Sequence, residues 1–156
     1  MKVRQANIDD VPLIFSFITK KSEFDREIGA FSGKIKVSET KIRNTIFRTI
    51  PFAYVLFACV LDREIGFALY GFRYSSFAGQ PSIWLDDLYI DENMRSQGAG
   101  RVLMNRLREI AKENNCTHIA WTADKRNVSG LNFYKRLGAE IIKQENNKCF
   151  LQWNII

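Results

Sequence analysis

The stretch MRSQGAGRVLMNRL, residues 94–107, runs three small residues, Gly98, Ala99 and Gly100, into a segment that turns periodically apolar. Leu103, Leu107, Ile110 and Ala111 fall on one face of a 3.6-residue period, and Arg101, Asn105, Arg108 and Lys112 on the other. That pattern predicts an amphipathic helix. Its first turn lies near Gln97 to Arg101, where backbone N–H groups lack helical partners and the macrodipole is positive. A glycine there removes the Cβ that would hold a phosphate away, and Arg95 and Arg101 add charge on either side. The site suits a pyrophosphate. Two glycines also suffice for a tight strand-to-helix turn, so the loop alone leaves both readings open. A Walker loop would end in Gly-Lys-Ser/Thr, where this chain has Arg101-Val102, and a dinucleotide fingerprint would need glycine in place of Leu103.

Toward the N-terminus, KVRQA (2–6) predicts a short strand, and Asn7 caps a helix carrying Val11, Ile14, Phe15 and Ile18 on one face. The mixed segment from Glu23 to Lys36, with Gly29 and Gly33, predicts a loop. Ser38 caps a second helix with Ile42, Ile46 and Ile50 inward, ended by Pro51. AYVLFACVL and EIGFALYGFRY, rich in β-branched and aromatic residues, predict an antiparallel hairpin about Asp62-Arg63. SIWLDDLYI (82–90) is a strand leading into the glycine loop, and HIAWT (118–122) another after its helix. Asn127 to Leu137 is a helix closed by Gly138 in the left-handed conformation. EIIKQE and KCFLQWNI make a last hairpin about Asn146-Asn147. The order implies an α+β or mixed α/β fold with helices on both faces of a sheet.

The 156 residues are the usual length of one domain, and 46% apolar with 26% charged residues is a globular balance. No apolar run approaches the roughly 18 residues that span a bilayer, and the first ten residues lack the apolar core of a secretory signal. Cys59, Cys116 and Cys149 are odd in number and widely spaced, which predicts reduced thiols in a cytoplasmic protein. With no CxxC pair and a single histidine, His118, a zinc site and a Ser-His-Asp or Cys-His mechanism are both poorly supplied. The net charge of +6 is scattered rather than blocked, and suits a polyphosphorylated small molecule as well as nucleic acid.

The segment RSQGAG (95–100), between a strand and a helix, resembles the Arg/Gln-x-x-Gly-x-Gly/Ala loop of the GNAT superfamily of acetyl-CoA-dependent N-acetyltransferases. LDDLYIDENMRSQGAGR is similar to the Leu-Glu-Asp-ϕ-ϕ-Val…Arg-Gly-x-Gly-x-Gly-Ser block of the diamine (spermidine/spermine) and thialysine acetyltransferase branch. NVSGLNFYKRLGA (127–139) is similar to that branch's Asn-x-x-(Ala/Ser)-ϕ-x-ϕ-Tyr-Lys-x-x-Gly-Ala segment. The resemblance implies the GNAT fold, a mostly antiparallel twisted sheet of about seven strands. It implies acetyl-CoA as cofactor, a small-molecule amine as substrate and a homodimer. By the same resemblance Leu88, Tyr89 and Ile90 pair their backbone with the pantetheine arm. Arg95, Ser96, Gln97, Gly98, Ala99, Gly100 and Arg101 cradle the pyrophosphate, with Asn127 and Gly130 near the cofactor. Ser96 stands where the branch has glycine, and Arg101 where it has a small residue.

Acetyl transfer to an amine needs a neutral nucleophile, a polarised thioester and a proton for the departing thiolate. The resemblance makes Tyr134 the general acid, on a helix face with Gly130, Phe133 and Leu137 turned to the sheet. Asp86 and Asp87 interrupt an apolar strand, and alternation predicts that they point to opposite faces and do not share a proton. The resemblance gives Asp86 the task of attracting the ammonium and taking its proton, and leaves Asp87 to brace a helix or loop. Glu23 matches loosely an acidic polyamine contact, and Trp84 and Trp121 are candidates to line the acceptor pocket. Cys116 lies at the far end of the helix from the loop, so direct attack in a ternary complex is expected. Two alternatives differ in class: acetylation of a protein N-terminus or lysine, which needs an open groove, and a basic nucleic-acid-binding module.

Overall fold

Residues 54–60 are apolar almost without interruption, the mark of a strand covered on both sides. In the computed structural model, which describes residues 1–155, they form β2 (Tyr54–Val60). Val55 and Phe57 face one core, Leu56 and Ala58 the other. β2 turns into β3 (Arg63–Ser75) through Leu61 and Asp62, both at positive φ (48° and 63°), so the two-residue turn sits one position earlier than predicted. β1 (Lys2–Gln5) flanks β2, and β4 (Gln80–Ile90) pairs with β3. β5 (His118–Asp124), β6 (Glu140–Glu145) and β7 (Lys148–Asn154) complete a seven-stranded sheet in the order β1-β2-β3-β4-β5-β7-β6. Every adjacent pair is antiparallel except β4 with β5, as the resemblance implies.

Helices α1 (Val11–Glu27) and α2 (Glu39–Ile46) bury Val11, Ile14, Phe17, Ile42 and Ile46 against one face. Helix α3 (Ala99–Glu113) buries Leu103, Met104, Leu107 and Ala111 against the other. The predicted amphipathic split of α3 is realised except at Arg108, whose guanidinium lies over the Trp153 ring at 5.1 Å with its Nε buried. A short helix α4 (Val128–Leu137) follows β5 and ends at Gly138, whose φ of 98° is the predicted left-handed stop.

Three expectations from the N-terminal third need correction. Asn7 caps a single 3-10 turn (Ile8–Asp10) through a capping box, and α1 starts only after it, with Phe17 rather than Phe15 or Ile18 at the centre of the buried face. α1 also runs four residues past Glu23 to Glu27, because nothing breaks it before Gly29 at φ 81°. α2 stops at Ile46, so Ile50 stands outside the helix before Pro51 and is 75% exposed.

Candidate active site

The parallel pairing of β4 with β5 is limited to Ile83 with Ile119 and Trp84 with Ala120. Beyond those residues the strands part. A cavity of about 710 Å³ fills the opening, walled by Leu85–Ile90 of β4, Trp121–Asp124 of β5, the start of α3 and parts of α1 and α4. On the side away from β3, the β4 backbone from Leu85 to Ile90 therefore has no strand partner, which leaves peptide groups free for a ligand.

The glycine loop opens on this cavity. Gly98 is the N-cap of α3 at φ 92°, no side chain caps the helix, and the first helical bond is the Val102 N–H to the Gly98 carbonyl. The N–H groups of Ala99, Gly100 and Arg101 thus precede the intrahelical ladder. A Cβ on Gly98 would meet nothing within 4 Å, so that side of the loop is open space. A diphosphate fits such an end, since it supplies the acceptors that the helix lacks. Gly100 has a different reason. A Cβ there would lie 2.9 Å from the Phe133 ring, so this glycine lets α4 close against α3.

The other loop residues divide. Ser96 holds φ 63°, in the region that favours glycine. Arg95 lines the cavity, but its Nε donates to the Ile90 carbonyl at 2.9 Å and its guanidinium lies over Phe24 (5.1 Å) and Tyr89 (5.3 Å), which fixes the loop to β4 and α1. Arg101 is exposed at the cavity rim, whereas Gln97 is exposed and does not line it. Asn127 caps α4, its Oδ1 accepting from the Gly130 N–H at 3.0 Å. That folded-over side chain occupies the space a Gly130 Cβ would need, and both residues border the cavity.

Asp86 and Asp87 do not obey simple alternation. Leu69 pairs with Asp87 and Tyr70 with Leu85, so Asp86 is the extra residue of a β-bulge. Both carboxylates line the one cavity, and Asp86 acts on Asp87 through its charge. Burial pushes Asp87 up to about 6, with Asp86 and Asp25 adding to the rise and Lys21 opposing it. Burial thus holds the Asp87 carboxyl nearer to neutrality than an ordinary aspartate. Asp124, also in the wall, is held at about 2 by two side-chain bonds from Arg126, at 2.8 and 2.7 Å.

Tyr134 is 8% exposed and lines the cavity, with the Trp121 ring 5.0 Å and the Phe133 ring 5.4 Å from its own. Burial first, then the charges of Asp87 and Asp25, push its phenol well above the ordinary tyrosine value. Trp121 shares the wall, but Trp84 lies outside it under the Arg73 guanidinium at 3.7 Å.

The helical extension of α1 decides what faces the acceptor end. Lys21, Phe24, Asp25 and Ile28, at helical spacing, line the cavity, whereas Glu23 is exposed on another face and lies outside it. Glu23, expected in a loop at the substrate, stands instead on the outer face of α1 because the helix continues through it. A 3.6-residue period continued past position 20 would have pointed to Lys21 and Asp25. Cys116 is buried and away from the cavity, and the His118 ring is bonded to Thr117 Oγ1 at 2.8 Å.

A model of the acetyltransferase (GNAT) family matches residues 26–139. Among curated proteins the chain is similar to thialysine N-epsilon-acetyltransferase of Bos taurus, 28% identical over 157 residues, covering 95% of this chain and 89% of the relative. It is similar to L-ornithine N5-acetyltransferase NATA1 of Arabidopsis thaliana, 28% identical over 188 residues, with 92% and 81% covered. Among solved structures it superposes on the PaiA N-acetyltransferase of Thermoplasma acidophilum, solved in complex with coenzyme A. The TM-score is 0.81 at 18% identity, with 98% of each chain covered.

Proposed function

This chain belongs to the acetyltransferase (GNAT) family, and on that premise we propose that it transfers the acetyl group of acetyl-CoA to the primary amine of a small molecule, by direct attack in a ternary complex. The observation that carries this reading is the uncapped start of α3, which opens into the same cavity as Tyr134 and Asp87. The N–H groups of Ala99, Gly100 and Arg101 would hold the diphosphate, with the Arg101 side chain adding charge, and Ser96 and Gly98 shape the approach. The free edge of β4 at Leu88, Tyr89 and Ile90 would pair with the pantetheine arm, and Asn127 and Gly130 border its path. Arg95 keeps this loop in place.

Acetyl-CoA supplies an activated carbonyl and a sulfur that leaves as a thiolate. Asp86, exposed at the bulge, adds negative potential that draws an ammonium to the cavity. An Asp87 oxygen takes the ammonium's proton, since its pKa of about 6 brings it nearer to an amine than an ordinary carboxylate is. Tyr134 Oη keeps its proton until the sulfur departs and delivers it there, and the second proton of the attacking nitrogen, shed as the amide forms, restores the phenol. Cys59, Cys116 and Cys149 all lie outside the cavity lining, so no thiol of this chain is placed to carry the acetyl group.

The reading extends to a single domain acting as a cytoplasmic homodimer. Three free cysteines suit a reducing compartment, and among the described residues no helix is long and apolar enough to cross a membrane. Lys21 and Asp25 of α1 and Tyr134 of α4 border the acceptor end, a compact set of charged and aromatic side chains that suits a small amine. Thiol release from acetyl-CoA, assayed across a panel of primary amines, tests the function. Release above background with at least one small amine is expected, and none with any amine would overturn it.

A further inference from the structure

Lys21 is a cation in the part of the cavity wall that also carries Asp25, Asp86 and Asp87. Its Nζ donates to Asp25 Oδ2 at 2.6 Å, one helical turn away, and the two side chains are only 22% and 27% exposed. The neighbouring Lys20 points elsewhere, to Asp91 at 3.0 Å. Lys21 and Asp25 are therefore turned into the cavity together, beside Asp86 and Asp87, not out to solvent as an ordinary i,i+4 pair. Both also act on Asp87 through their charges, so the pair lies near the carboxylate that would receive the reacting amine.

The pair is incompletely used. An ammonium has three donors, and among the described residues Lys21 gives one of them, to Asp25. The second carboxylate oxygen of Asp25 accepts no side-chain bond there. A cation and an anion side by side, each with bonding capacity left, match the head group of an α-amino acid: carboxylate to Lys21, α-ammonium to Asp25. A bare diamine offers only cations. It would find Asp25 already neutralised and the Lys21 charge opposing it.

Resting on the proposed acetyl transfer, the geometry points to Lys21 and Asp25 as a zwitterion clamp that selects an α-amino acid with a terminal side-chain amine over the diamine lacking its carboxylate. Asp86 and Asp87 then face the terminal amine while the clamp holds the other end. Lys21 is the specificity-determining residue, because Asp25 alone would serve either acceptor.

The test compares L-lysine with cadaverine, and L-ornithine with putrescine, each pair differing by the α-carboxylate. Affinity is read by calorimetry with coenzyme A present, and kcat/KM by thiol release. A charge-assisted hydrogen bond predicts that the wild type prefers the amino acid by about tenfold or more. Lys21→Met should erase that preference, weakening the amino acid and strengthening the diamine, and Lys21→Arg should keep it. Equal affinities in the wild type, or a preference unchanged in Lys21→Met with native circular dichroism, overturn the clamp. Should Lys21→Met not fold, an Asp25→Asn variant that leaves amino-acid affinity intact overturns it equally. The calorimetric preference tests the clamp even where no amine releases thiol, a result that would remove the acetyl-transfer reading alone.

Discussion

Asp87 on β4 and Tyr134 on α4 share one cavity, and after burial the charge of Asp87 is the largest influence holding the proton on the Tyr134 hydroxyl. The proposed base and acid are therefore coupled. When Asp87 takes a proton from the acceptor its charge disappears, and the hold on the Tyr134 proton weakens as the thiolate begins to need it. On ordinary values the transfer from phenol to thiolate is uphill by about 1.5 pKa units, or about 2 kcal/mol. Burial raises the phenol further, but a thiolate formed in the same dry cavity is disfavoured by the same cause. The neutralisation of Asp87 is what shifts the balance.

Tyr134→Phe removes the donor and keeps the ring that packs against Trp121 and Phe133. Turnover is expected to fall about 10²-fold or more while acetyl-CoA affinity, measured by calorimetry, stays the same. Unchanged turnover would remove the acid role.

The pH profile reports on Asp87. Activity should rise with pH through about 6, as the carboxylate becomes free to accept a proton, and Asp87→Asn should lower turnover and abolish that limb. Stability moves oppositely. The folded-state pKa lies above the ordinary aspartate value of 3.8, so the stability linked to the protonated carboxyl is complete below that value and lost as pH rises through about 6. At pH 8 Asp87→Asn should therefore be the more stable protein, by up to about 3 kcal/mol. A variant no more stable than the wild type at pH 8 in urea unfolding would show that the carboxylate is not strained by its site.

Much of this arrangement was legible in the sequence because it rests on local signals. The period of α3, the apolar runs of β2 and β3, and the Gly138 stop are each set by residues close in sequence, and each was found where expected. Two features depend on partners distant in sequence. The bulge that makes Asp86 unpaired exists only in the register of β4 against β3, so alternation misjudged how the two carboxylates sit. The need for glycine at position 100 comes from Phe133, more than thirty residues on, and no local pattern carries it. The length of α1 has another cause: charged residues at its C-terminal end mask a period that continues through Asp25.

Gly98 and Gly100 should respond differently to the same change. Gly98→Val places a branched side chain at φ 92° on the open side of the loop, and is expected to weaken coenzyme A binding about tenfold or more. Gly100→Ala sets a methyl group 2.9 Å from the Phe133 ring. It should cost about 1–3 kcal/mol of stability by overpacking. Because Phe133 adjoins Tyr134, turnover should fall with it. Calorimetry and urea unfolding on both variants separate the two roles, and equal effects on affinity would merge them.

Ser96→Gly tests the loop's backbone rather than its contacts. Ser96 sits at φ 63°, where a side chain crowds its own carbonyl at roughly 1 kcal/mol and glycine does not. Glycine also gives the unfolded chain more freedom, which takes back part of the gain, so the net stabilisation expected is about 0.5 kcal/mol. In a chain of this size that is a rise of about 1–2 °C in Tm. Ser96→Ala is the necessary control. It loses the same hydroxyl but keeps the Cβ, so it should give no rise; if both variants gained equally, the hydroxyl and not the backbone would be the cause. Coenzyme A affinity should hold in both, because the donors proposed for the diphosphate are the N–H groups of Ala99, Gly100 and Arg101.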